Sequence, residues 1–259
     1  MHDLGADTLS DLLSGGVFAL FMIMARVGVA VSFLPGFGDT YVNPTARFVI
    51  SMSISLVLLP VLWHVLPPVP TAASDFLSLL AREALWGLFL GVSSRIMLMS
   101  LDLAGNLIAA NTGLSAASTI NPQLTTSGPI VTSFLTMSAL LLVFVTNLHH
   151  LLIGGLIKSY ELYVPGQPFV IGDMTETVVN TVSSATQIGF QIASPFVVLG
   201  LVFNVGLGLL ARLVPQMQVF LVGVPLQILV GMTLLGLLMM TLLQVWIKYY
   251  ESFYVGLFH

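Results

Sequence analysis

The chain has 259 residues, 57% of them hydrophobic and only 7% charged, with 7 Lys/Arg against 11 Asp/Glu. A soluble domain carries roughly 25% charged residues. This composition, with a mean hydropathy of +1.02, excludes a water-covered globule, a disordered tail and a nucleic-acid binder with a basic face. The chain is read as an integral membrane protein or part of a membrane-bound assembly.

Helices and closed barrels are the structures that satisfy their backbone in lipid, and long apolar runs point to helices. The N-terminal stretch carries Asp3, Asp7 and Asp11 and no cation before Arg26. It lacks the positive region of a secretory signal, so the first apolar segment is expected to be retained. Spans are expected at Leu13–Leu34, Ala46–Leu66, Asp75–Leu101, Ile130–Ile153, Ile192–Arg212 and Val219–Tyr249. A weaker helix is expected over Asp173–Gln191, opened by a capping box of Asp173 and Glu176. Turn residues mark the breaks, namely Pro35, Gly36, Gly38 and Pro44, then Pro67, Pro68 and Pro70, then Pro165, Gly166 and Pro168.

The stretch Ala104–Pro129 interrupts this pattern with small and polar residues, among them Asn106, Asn111, Gly113, Ser115, Ser118, Asn121, Pro122 and Gly128. A water-exposed loop fits it. So does a segment folded back into a protein-lined cavity, where irregular backbone is tolerated at membrane depth. Glycines gather in the final third (Gly200, Gly206, Gly208, Gly223, Gly231 and Gly236), and small residues let helix backbones approach closely in lipid. Met97, Met99, Met137, Met217, Met232, Met239 and Met240 are expected as core filling rather than as a flexible seal.

Arg26, Arg82, Glu83, Arg95 and Asp102 lie in or at the ends of apolar runs. An ionisable group facing lipid costs at least ~2.5–3.5 kcal/mol, so each is expected to be paired, snorkelling or turned to a wet interior. Arg95 and Asp102 are two helical turns apart, within uncertain reach of each other. Glu83, Gly87 and Gly91 step by four and form a stripe along one helix face. Lys158 and Lys248 near helix ends are explained by snorkelling.

Enzymatic and cofactor chemistry has little to stand on. The chain has no cysteine, which removes thiolate catalysis and cysteine-held metals. There is no phosphate loop, dinucleotide fingerprint or zinc-protease helix motif. His149 and His150 are adjacent, about 100° apart on a helix, a poor arrangement for chelation. No catalytic residue, cofactor or metal is expected.

The segment from Arg212 through Pro215, Gln216 and Phe220 to Gly223 and Pro225 resembles the FliR family of flagellar export-gate components, related to the T component of virulence secretion systems. Arg26, Pro35, Pro44 and Arg47 resemble that family's first hairpin. Glu83, Gly87 and Gly91 resemble its third helix, and Gly105, Gly113, Asn121 and Pro122 the segment after it. His149, His150, Ser159 and Pro165 resemble its central break. Independently of the resemblance, Pro215 stops a helix and leaves its last carbonyls unpaired. Arg212 suits that negative end and the Gln216 amide suits its backbone groups.

The resemblance implies an all-α protein of polytopic, membrane-type helical hairpins, with a FliP-like part over residues 1–190 and a FliQ-like hairpin over 191–259. It implies a non-enzymatic component of the flagellar type III export gate in the bacterial inner membrane, at the flagellar basal body. Its expected partners are FliP, FliQ and FlhB-type subunits, together with unfolded flagellar export substrates and the membrane, and no nucleic acid. The segment 113–128, with Gly113, Leu114, Ser115, Ala116, Ala117, Ser118, Asn121, Pro122 and Gly128, takes the position of the plug that closes the pore. The alternative is a stand-alone secondary transporter or channel using the buried charges. The single polar interruption, with no counterpart elsewhere, counts against an inverted repeat.

Overall fold

The computed structural model describes residues 3–115, 130–167, 171–213 and 219–258, with side chains described from residue 15 onward except at 171 and 219–222. Every regular element among them is helical. The helices are α1 (Asp3–Phe33), α2 (Pro44–Leu62), α3 (Ala73–Asn111), α4 (Ile130–Val145), α5 (Leu148–Leu162), α6 (Ile171–Leu213) and α7 (Val219–Leu257). Stretches of α1, α2, α3, α6 and α7 are each long and apolar enough to cross a membrane, and α4 with α5 qualifies as a broken pair.

Helix α1 begins earlier than expected, at Asp3, α7 ends later, at Leu257, and three further differences bear on the packing. The run from Ile130 breaks after Val145, because Asn147 adopts a left-handed backbone with φ of 60°. Asparagine tolerates that conformation better than most residues, and it ends a helix. The two segments expected over Asp173–Gln191 and Ile192–Arg212 are one helix. It begins at Ile171, so Asp173 lies in its first turn rather than at the cap. Helix α3 runs ten residues past Leu101 to Asn111, so the polar interruption opens as helix. Its small residues serve burial there: Ala104 and Ala109 are buried beside Ile108, and a Cβ on Gly105 would lie 2.5 Å from Thr132 Cα.

The chain forms two compact units, each discontinuous in sequence. The first comprises Met1–Arg95, Asn147–Val179 and Tyr254–His259. Its core is the α1 face Met22, Ile23, Val27, Ala30 and Val31, with Trp86 and Leu90 of α3, Leu152 and Leu156 of α5, and Tyr254 and Phe258 of α7. Helix α2 is capped by the Asn43 side chain, which accepts from Thr45 N, and Pro44 occupies its first turn. It returns along α1, placing the Trp63 ring against Gly15 and Gly16.

The second unit comprises Ile96–Thr146 and Asn180–Phe253. Met97, Leu98 and Leu101 of α3 join Leu135 and Ala139 of α4, Ile188, Ile192 and Phe196 of α6, and Trp246 of α7 in its core. The Trp246 indole donates to Ser100 Oγ at 3.1 Å, which satisfies its polar end inside the core. Of the methionines expected as core filling, Met97 is buried, whereas Met99, Met137, Met232 and Met240 are exposed on helix faces.

Candidate functional site

The stripe on α3 packs against α1. A Cβ on Gly87 would lie 2.2 Å from the Arg26 carbonyl oxygen, and one on Gly91 would lie 2.7 Å from Phe33 Cβ and 2.9 Å from the Ala30 oxygen. Arg26 and Ala30 thus meet Gly87 and Gly91 in register, one helical turn apart on both helices. Glu83, one turn earlier on α3, completes the row.

That close approach brings Arg26 Nε to 2.7 Å from Glu83 Oε2, with both side chains excluded from solvent. The guanidinium has further donors, and α5 takes them. Nη1 donates to Ser159 O at 3.1 Å and to Ser159 Oγ at 3.3 Å, and Nη2 donates to Tyr163 O at 2.9 Å. These acceptors stand at the C-terminal end of α5, where carbonyls carry partial negative charge; Ser159 O also accepts from Tyr163 N at 2.9 Å. The Tyr160 ring lies 4.0 Å from the guanidinium carbon, in cation–π contact. One arginine therefore joins α1, α3 and α5, and a lysine could not reproduce its planar fork.

A second cluster closes the α1–α2 connection. Asp39 accepts hydrogen bonds from Gly36 N at 2.8 Å and from the Tyr41 hydroxyl at 2.9 Å, and pairs with Arg95 of α3. Arg47 of α2 donates from Nε to Phe37 O at 3.1 Å and from Nη2 to Asp39 O at 3.0 Å. Burial raises the Asp39 pKa, but the hydrogen bonds from Arg95, Gly36 and Tyr41, with the Arg95 charge, outweigh it and hold the carboxyl below its ordinary value. Burial and the bond it donates to Asp39 push the Tyr41 phenol up.

Arg95 and Asp102 take different partners. Asp102 accepts from Thr136 Oγ1 of α4 at 2.9 Å. Arg82 reaches the Gly166 carbonyl at 3.4 Å, at the limit of a hydrogen bond. Each of the five charges singled out in the sequence therefore has a partner. Asp39 was missed, although an arginine in an apolar helix calls for a carboxylate and Asp39 is the one acidic residue of the Pro35–Pro44 turn.

The third cluster lies at the end of α3. Gly113 has φ of 79° and stands two residues past the last residue of α3, Asn111. Asn111 Nδ2 donates back to Leu107 O at 2.8 Å, and Thr112 N and Oγ1 donate to Ile108 O at 2.9 and 2.8 Å. Gln227 of α7 is buried and donates from Nε2 to Asn111 O at 2.8 Å.

Of the segment expected as a plug, Gly113, Leu114 and Ser115 are described, whereas Ala116, Ala117, Ser118, Asn121, Pro122 and Gly128 lie outside the described residues. In the turn motif, Arg212 stands in the last turn of α6 and Pro225 inside α7. Phe220 is in the first turn of α7 without a described side chain, and Pro215 and Gln216 lie outside the described residues. His149 and His150 lie in the first turn of α5 with ring centroids 4.2 Å apart and planes tilted by 45°. Among the described residues no group of three His, Asp or Glu is placed to hold a metal ion.

These clusters fix helices to one another and to the connections between them; none presents a nucleophile and base in a cleft. Comparison with known proteins agrees with an export component. Residues 17–253 match the family of bacterial export proteins, family 1. The flagellar biosynthetic protein FliR of Caulobacter vibrioides is 34% identical over 91% of this chain and 94% of its own length. The FliR proteins of Bacillus subtilis and Escherichia coli are 29% and 28% identical, over 84% and 85% of this chain and 84% and 83% of theirs. A full-length match to the family, on an all-helical apolar chain whose buried charges are spent on helix contacts, places this protein: it belongs to the FliR family of flagellar biosynthetic export proteins.

Proposed function

We propose that this chain completes a FliP–FliQ–FliR pore of the flagellar type III export gate, through which unfolded flagellar proteins leave the cytoplasm. Residues 1–190 act as the FliP-like part and 191–259 as the FliQ-like hairpin. FlhB-type subunits stand at the entrance, and the setting is the bacterial inner membrane at the flagellar basal body. The segment 113–128 plugs the closed pore, and an exported chain displaces it. The protein has no turnover of its own.

The observation that carries this reading, beside the family, is the mismatch between the long helices and a bilayer. At 1.5 Å per residue, the 43 residues of α6 and the 39 of α7 extend roughly 60 Å, about twice the hydrocarbon thickness. Yet only 17% and 22% of their apolar windows are buried within the chain. Apolar stretches that bare suit neighbouring helical subunits as they suit lipid, and helices that long extend past the bilayer to meet them. A stand-alone transporter draws less support, because Arg26, Glu83, Arg95 and Asp102 are engaged in contacts between helices.

Co-expression with FliP and FliQ from the same source, and purification through a tag on this chain, tests the reading. One large complex containing all three proteins is expected, and deletion of 113–128 is expected to make the membrane leaky. A stable, monodisperse chain that ignores both partners would overturn it.

A further inference from the structure

We infer that Asp102 is a docking point for a basic side chain, a lysine or an arginine, carried by a helix of a neighbouring subunit. That the subunit is FliP or FliQ rests on the export-gate reading above; the need for an outside cation rests on this chain alone.

A carboxylate inside an apolar helix requires a partner, because hydrocarbon offers none and burial without one is costly. Glu83 and Asp39 meet that requirement within the chain, through Arg26 and Arg95. Asp102, inside α3, accepts one neutral hydrogen bond, from Thr136 Oγ1 to its Oδ1 at 2.9 Å. No cation pairs with it among the described residues. The chain has 7 Lys/Arg in all, and every one is described. Arg26 and Arg95 are engaged by Glu83 and Asp39, and Arg47 and Arg82 donate to backbone carbonyls. Lys158, Arg212 and Lys248 are exposed on other helices. The residues outside the described set include no lysine or arginine. A cation for Asp102 therefore comes from another molecule.

The surroundings suit a protein helix rather than lipid. Helices α3 and α4 touch at this level, where a Cβ on Gly105 would lie 2.5 Å from Thr132 Cα. Asp102 is about one turn from Gly105, and Thr136 one turn from Thr132, so the half-buried carboxylate is held at the seam of the two helices. Met99 and Asn106, each about one turn from Asp102 along α3, are exposed, as are Ser133, Phe134 and Met137 of α4. Lipid tails would leave an amide, a hydroxyl and a carboxylate against hydrocarbon. A packed helix can answer polar groups across the seam. The Met and Phe side chains around them supply the adaptable apolar rim common at protein interfaces.

A photo-reactive amino acid at Met99 or Met137 leaves the carboxylate untouched and reports what lies against it in membranes of the native host. Irradiation is expected to link this chain to a FliP or FliQ segment that contains a lysine or arginine. In the complex with FliP and FliQ, Asp102→Asn keeps the shape and removes the charge. It is expected to lower recovery of the linked subunit, per molecule of this chain, about tenfold. Asp102→Lys is expected to abolish recovery, and exchange of the partner's basic residue for aspartate to restore it, which a merely structural role for Asp102 would not allow. A link to lipid alone, to a second copy of this chain or to a segment without a basic residue overturns the docking. Full recovery with Asp102→Asn overturns it too. If the Asp102 variants fail to fold, the link from Met99 or Met137 decides. A wild-type chain that recovers neither FliP nor FliQ overturns the export-gate reading, and a link to a basic segment of some other protein then still upholds the docking.

Discussion

Arg26 and Glu83 are 57 residues apart in sequence and meet at 2.7 Å with no exposure to solvent, on two helices whose backbones touch at Gly87. Breaking a buried ion pair by removing one partner leaves an unpaired buried charge, at a cost of about 3–5 kcal/mol. Arg26→Met and Glu83→Gln are each expected to reduce recovery of assembled protein sharply. Arg26→Met is the worse of the two, because Tyr163 O then loses the guanidinium as well, and Ser159 O keeps only the bond from Tyr163 N. Arg26→Lys rescues little, since an ammonium cannot serve Glu83, Ser159 and Tyr163 together. A double Arg26→Met, Glu83→Met variant that recovers part of the loss would show pairing, and simple additivity of the two defects would count against it.

The glycines of α3 give a sharper contrast. Gly87→Ala sets a methyl 2.2 Å from the Arg26 carbonyl, where only movement of a whole helix makes room. Overpacking of this kind costs typically about 1–3 kcal/mol, and more when backbone is the obstacle. On α5, Gly154 has nothing within 4 Å of an added Cβ, so Gly154→Ala is expected to be neutral or to stabilise by up to ~1 kcal/mol through helix propensity. Thermal stability of the two variants in the purified complex separates them. A Gly87→Ala protein as stable as Gly154→Ala would mean that α1 and α3 are not in this contact.

Asp39 makes the α1–α2 connection sensitive to acid. Its folded pKa lies below the ordinary carboxylate value, so its contribution to stability is fully present above that ordinary value, near 4, and is lost as pH falls through the folded one. Asp39→Asn is therefore expected to lower Tm at pH 7 by a few degrees, corresponding to about 1 kcal/mol for a partly exposed pair. The difference from wild type should shrink progressively below about pH 4. A Tm difference constant from pH 7 to pH 3 would show that the Asp39 charge is not what holds the turn.

Much of this arrangement was legible in the sequence, and what was not has physical reasons. The four-residue step of Glu83, Gly87 and Gly91 identified a contact face, because helical period fixes which residues share a side. It could not identify the partner, since α1 offers several faces and the choice of Arg26 depends on tertiary packing. The stretch Ala104–Pro129 reads as an exposed loop or as a segment folded into a cavity, because small polar residues interrupt the apolar pattern. As far as Asn111 the same residues are helical in α3, because Ala104, Gly105 and Ala109 allow close packing against neighbours. The change from polar to apolar composition near Gln191 suggested two helices. The backbone runs on, with a buried row of Thr181, Ala185, Ile188, Ile192 and Phe196 crossing that point. Asp39 escaped notice because its ion-pair partner Arg95 lies on another helix, far away in sequence.

Asn147 offers a test of the break between α4 and α5 that needs no partner subunit to interpret. Its φ of 60° makes it the non-glycine residue among those described with a positive φ, and L-residues other than Gly, Asn and Asp pay roughly 1–2 kcal/mol for that conformation. Asn147→Gly is expected to preserve stability, because glycine occupies the left-handed region without penalty. Asn147→Ala is expected to lose about 1 kcal/mol, and Asn147→Val more, since a β-branched side chain crowds the backbone there. A valine variant as stable as the glycine variant, with the Arg26 contacts intact, would show that the left-handed residue does not impose the break.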